Sequence, residues 1–146
     1  MNRSRVWLAA VMVALALPLH AQAPQYRARL SPVPLDVAMQ STVAGSGVVT
    51  ATVKGSTVNI NGTFTGLKTP ATVVRLHRAP KTAMKGPAIG DLTATQETSG
   101  TISGSIELTK EQIADLTAGR LYVQLHSQKA PDGNLRGFLL TQEGKK

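Results

Sequence analysis

Apolar residues recur at every second position through one short window after another, and this period of two constrains the fold more than any other feature of the chain. Val49, Ala51 and Val53 alternate with Thr50, Thr52 and Lys54, and Leu121, Val123 and Leu125 alternate with Tyr122, Gln124 and His126. Successive side chains on a strand point to opposite faces, so each window reads as a strand with one buried face. Gly55-Ser56 separates the first window from the return run Thr57–Asn61, with glycine in the first central place that a type II′ hairpin favours. Further strands are read at Tyr26–Leu30, around Val74 and Leu76, at Ile89–Ala94, from Ile102 to Leu108, and at Leu135–Thr141, where Phe138 and Leu140 are expected in the core. Val33–Met39, punctuated by Pro34, reads as an edge segment.

One helix interrupts this pattern. Thr109 and Gln112 have the spacing of a capping box, Ile113 and Leu116 supply an apolar stripe, and Gly119 suits the left-handed residue just past a helix end. Strands at this spacing with turn signals between them predict an antiparallel sandwich or barrel. Glu111 and Asp115 fall on one face of the short helix and are expected to be solvated.

The N-terminus has a different logic. Arg3 and Arg5 precede an apolar run from Val6 to Leu19, and small residues follow at Ala21 and Ala23. This is the order of a secretory signal peptide, with an apolar core shorter than the roughly 20 residues that span a bilayer. Cleavage is expected after Ala21, giving a signal peptide of residues 1–21 and a single domain of residues 22–146 with its core at about 26–141. Removal of two arginines and no acid lowers the formal charge from +8 to +6 and takes His20 away. No second apolar stretch approaches membrane-spanning length. The chain has no cysteine, so an exported product is periplasmic or secreted without disulfide staples, and its stability rests on core burial.

The same inventory narrows the chemistry. Cysteine nucleophiles are excluded, no serine lies in a nucleophile-elbow pattern, and no glycine loop precedes a helix in a phosphate-cradling arrangement. Arg75, Arg78, Lys81 and Lys85 cluster within eleven residues, a candidate contact for an anionic surface or an acidic protein. Aromatic residues make up only 3% of the chain, which argues against a base-stacking nucleic-acid platform.

The run Leu116–Ser127, followed by Ala130-Pro131-Asp132-Gly133-Asn134-Leu135-Arg136-Gly137, resembles the signature of the CHRD domain, a family named from chordin and found in many bacterial exported proteins. Ala28-Arg29-Leu30-Ser31-Pro32 and Gly66-Leu67 fit the same pattern. The resemblance implies an immunoglobulin-like antiparallel β-sandwich, a Greek-key barrel with some likeness to copper–zinc superoxide dismutases, and a biochemical role that is generally unassigned. Within the motif, Tyr122, Gly133, Arg136 and Gly137 are expected to be structural, Gly133 by supplying a positive backbone angle to a Pro131-Asp132-Gly133 turn.

The family typically carries a his-x-his pair on the strand before a glycine-containing loop, and this chain reads Arg75-Leu76-His77 there. Residues i and i+2 share a strand face, so a paired arrangement suits a metal, but a guanidinium stays protonated and is no ordinary ligand. His77 and His126 remain as candidate copper or zinc ligands if their strands meet, with Asp91 or Asp132 as a third donor. The expectation is therefore a non-enzymatic exported module, binding or structural in role and free of cofactor. A metal-binding or redox protein using the two histidines is the alternative.

Overall fold

A computed structural model describes residues 22–81 and 84–142; the expected signal peptide and the last four residues of the expected domain lie outside the described residues. Among the described residues nine strands and one helix follow in order: β1 (Gln25–Pro32), β2 (Ser46–Lys54), β3 (Thr57–Thr65), β4 (Ala71–Arg78), β5 (Ala88–Ala94), β6 (Gly100–Glu107), α1 (Lys110–Thr117), β7 (Leu121–Ser127), β8 (Ala130–Phe138) and β9 (Leu140–Thr141).

Eight of these strands close on themselves. Neighbours run β2-β3-β6-β5-β4-β7-β8-β1, and β1 returns to pair with β2. All the pairings are antiparallel. The expected sandwich is thus a closed barrel, because two strands change partners along their length. Gln25–Leu30 of β1 pair with β2, whereas Ser31 and Pro32 pair with β8. Similarly, β5 pairs with β4 as far as Leu92, then with β6 through Thr93 and Ala94. These two corners join what would otherwise be separate sheets.

The inward face follows the alternation. Val49, Val58, Ile60, Leu76, Leu121, Val123 and Leu125 belong to one continuous buried cluster. Leu116 enters that cluster from α1, whose Thr109–Gln112 capping box forms with both reciprocal hydrogen bonds. Lys54 lies opposite Thr57, so Gly55-Ser56 is the whole turn between β2 and β3.

Four expectations need correction. Leu139 is fully buried, Leu140 is 55% exposed and Phe138 is half-buried. The inward phase runs through Leu135, Gly137 and Leu139, and the side-chain-free Gly137 hides it; a Cβ there would lie 2.4 Å from the Arg29 carbonyl oxygen. Val33–Met39 forms no strand: residues 33–36 are irregular and turns follow, with the Asp36 carboxylate accepting the Met39 N–H at 2.9 Å. The β7–β8 turn is Gln128-Lys129, and Pro131-Asp132-Gly133 lies within β8. Finally, Asp115 is buried, because the guanidinium groups of Arg78 and Arg120 grip its two carboxylate oxygens.

Candidate functional site

The informative part of the barrel is the outer face of β4, β7 and β8. Alternation turns Tyr122, Gln124 and His126 of β7 outward, yet Tyr122 and Gln124 are buried because loops lie over them. Strand register sets the neighbours: His77 is opposite Tyr122, which is opposite Phe138, while Arg75 is opposite Gln124, which is opposite Arg136.

On the first of these rungs, the His77 and Tyr122 rings stack with centroids 4.9 Å apart and planes 13° apart. Phe138 tilts against the same tyrosine at 5.0 Å. The Tyr122 hydroxyl accepts the Gly86 N–H at 2.9 Å and donates to the Gly86 carbonyl at 3.0 Å. The same carbonyl accepts from His77 Nδ1 at 2.9 Å. One glycine thereby pins the β4–β5 connection over the strand face, and a Cβ there would lie 1.7 Å from the Arg78 carbonyl oxygen. Since Nδ1 carries the hydrogen, neutral His77 presents a bare Nε2, which is buried without a partner. Burial lowers the His77 pKa; the Gly86 hydrogen bond opposes this, and His126, Arg136 and Arg75 add to the lowering.

The second rung is organised by Gln124. Its Oε1 accepts from Arg136 Nε at 2.8 Å, and its Nε2 donates to the Asp132 carbonyl at 3.3 Å and approaches His126 Nε2 at 3.3 Å. His126 Nδ1 donates to the Pro131 carbonyl at 2.7 Å. These carbonyls are available because β8 bulges: between one pair, Leu125–Leu135, and the next, Ser127–Ala130, β8 has the longer path. Gly133 takes φ +134°, as expected, and a Cβ there would lie 2.9 Å from the Gln124 amide nitrogen. The Arg136 guanidinium carbon stands 5.4 Å from the Tyr122 ring centroid, which ties the two rungs together.

The two histidines occupy different levels of this face. Three residues of β7 lie between Tyr122, the neighbour of His77, and His126, a backbone span of about 13 Å, and the Arg75–Gln124 rung lies between. Among the described residues no group of three or more histidine, aspartate or glutamate side chains is arranged to hold a metal ion. Of the four clustered cations, Arg75 pairs with Asp91 at 2.9 Å and Arg78 pairs with Asp115, while Lys81 and Lys85 are exposed. Among the described residues no helix is long and apolar enough to cross a membrane.

The CHRD domain family model matches residues 26–139, from the second residue of β1 to the buried leucine after β8. The chain belongs to the CHRD domain family. No curated protein matches it. Of the residues that resemble the CHRD signature, Tyr122, His126 and Arg136 join Gln124 in one interlocked polar layer that fastens loops onto the barrel, and Gly133 leaves room for the Gln124 amide. Sequence reasoning missed Gln124 and Gly86. Gln124 had a signal, an amide on the outward phase between Tyr122 and His126. Gly86 had none, since loop coverage decides its place.

Proposed function

We propose that this CHRD domain is an exported, non-enzymatic binding module that engages an acidic partner through the outer face of β4, β7 and β8. The observation that carries this reading is how the ionisable groups of that face are engaged. His77 and Tyr122 hold Gly86, and Gln124 holds Arg136 and His126, and among the described residues no group hydrogen-bonds the bare His77 Nε2. Lys85 and Lys129 lie with Arg136 around one cavity beside the layer. The N-terminal arginines and apolar run support export to the periplasm or beyond. The strand order β7-β4-β5-β6 supports a Greek-key barrel of the immunoglobulin or superoxide-dismutase kind.

Retention on immobilised poly-glutamate, with poly-lysine as the control, tests the binding reading. Salt-sensitive retention on poly-glutamate alone is expected, and equal behaviour on both polymers defeats it. The second reading, a copper or zinc site, draws on the Nδ1–H that both imidazoles donate to backbone carbonyls, an arrangement common in metal-ligating histidines, with His126 Nε2 engaged by the Gln124 amide and His77 Nε2 bare. Copper and zinc titration of the wild type, His77→Ala and His126→Ala separates the readings. Binding that is weak and unchanged in all three proteins removes the metal.

A further inference from the structure

A cavity of about 390 Å³ opens beside the polar layer, between the segment after β1, the bulge of β8 and Arg136. Its volume lies within the range of small-ligand pockets. Val33, Met39 and Ala130 contribute apolar surface to it and form a small hydrophobic cluster with Val43, separate from the barrel core. Lys85, Lys129 and Arg136 line it as cations, and Asp36 and Asp132 as acids.

Arg136 is the distinguishing group. Its Nε is tied to Gln124 and its guanidinium stands over the Tyr122 ring, so the fork is oriented before any ligand arrives. Among the described residues no acceptor sits on its two terminal nitrogens. Two parallel N–H groups held in this way match the two oxygens of a carboxylate. A receptor whose side chain is already fixed loses little entropy on binding. The two aspartates repel a second negative charge, which favours a monoanion over a phosphate dianion.

We infer that this cavity binds a small monocarboxylate bearing an apolar group, with Arg136 on the carboxylate, Lys129 and Lys85 beside it, and the apolar group against Val33 and Met39. This inference rests on the binding-module reading and names the ligand chemistry of one of its sites.

Titration of the full chain with hexanoate, 1-hexanol and inorganic phosphate, followed by backbone amide chemical shifts, tests it. Saturable hexanoate shifts are expected at Lys129, Gly133 and Arg136, with weaker responses to the other two probes. Arg136→Gln lowers hexanoate affinity about tenfold or more. If that variant does not fold, Lys129→Ala decides, since Lys129 is exposed; its expected loss is about two- to fivefold. Phosphate or hexanol binding as tightly as hexanoate, shifts confined to another surface, or a folded Arg136→Gln with unchanged affinity overturns the inference. Retention on poly-glutamate without any hexanoate response rejects the cavity and leaves the module reading standing; loss of both rejects both.

Discussion

The β2–β3–β6 half of the barrel and the β4–β7–β8 half share one inward alternation and differ in what lies over their outer faces. In the first half the register runs without a break from Lys54–Thr57 to Phe64–Gly100. Its outer face is a ladder of small polar residues, Thr50, Asn61, Thr63, Ser103 and Ser105, open to water. In the second half every pairing of β4 and β7 contains a register shift. The displaced backbone supplies carbonyls and loops that cover histidine, tyrosine and glutamine. A regular ladder leaves no backbone group free for a side chain to hold, whereas a bulge does. The features that look like imperfect pairing are what build the site.

The shared inward face gives the largest effect. Leu125 is fully buried in the core cluster, and Leu125→Ala is expected to cost about 2–5 kcal/mol by chemical denaturation. A loss no greater than that of an outer-face variant would show that the inward phase of β7 is misassigned.

Next comes the buried acid at the foot of the irregular half. Asp115 is almost wholly buried, but Arg78 and Arg120 keep 41% and 36% of their side-chain surface in water. When Asp115 is removed, both guanidinium groups can turn to solvent, so the cost falls below that of breaking a fully buried ion pair. Asp115→Ala is expected to lose about 1–3 kcal/mol, and Asp115→Asn less, because the amide still accepts hydrogen bonds. Equal losses in the two variants would assign the effect to packing alone.

How far the sequence can be read follows the same division. The regular half was legible almost entirely, because period two, a Gly-Ser turn and a capping box are local signals. The inward leucines and valines of β7 were legible for the same reason. Leu139 and Leu140 were misphased because Gly137 holds an inward position without a side chain to mark it. Burial of Asp115 was illegible, since Arg78 and Arg120 reach it from other elements. The outward phase of His77, Tyr122, Gln124 and His126 was legible too. Their interlocking was not, because it depends on the β8 bulge and on Gly86 lying over the strands, and neither leaves a periodic trace.

His77 offers a smaller effect with a distinctive pH signature. Loss of its stacking on Tyr122 in His77→Ala is expected to cost about 0.5–1.5 kcal/mol at neutral pH. Burial holds its folded pKa below the ordinary value of about 6.5. Between the lowered value and 6.5 the unfolded chain therefore binds more protons than the folded one. The His77 contribution is complete above about pH 6.5 and is lost as pH falls through the folded pKa. Denaturation midpoints measured from pH 7.5 down to 5 should fall more in the wild type than in His77→Ala. Parallel profiles would mean that the imidazole protonates as freely in the fold as in water.

The open ladder supplies the smallest effect and the control for the comparison. Asn61 faces water on β3, between Thr50 of β2 and Ser103 of β6, and none of its side-chain atoms holds a loop. Asn61→Thr replaces a poor strand former with a good one at a position that makes no tertiary contact of consequence. Its expected change is within about 0.5 kcal/mol, and a small gain fits strand propensity. Gln124→Thr, the matching substitution on β7, removes the group that joins Arg136, His126 and the β8 bulge, and should cost more than Asn61→Thr under identical conditions. If the two variants lose equal stability, the covered face is no more constrained than the open one, and the polar layer holds nothing in place.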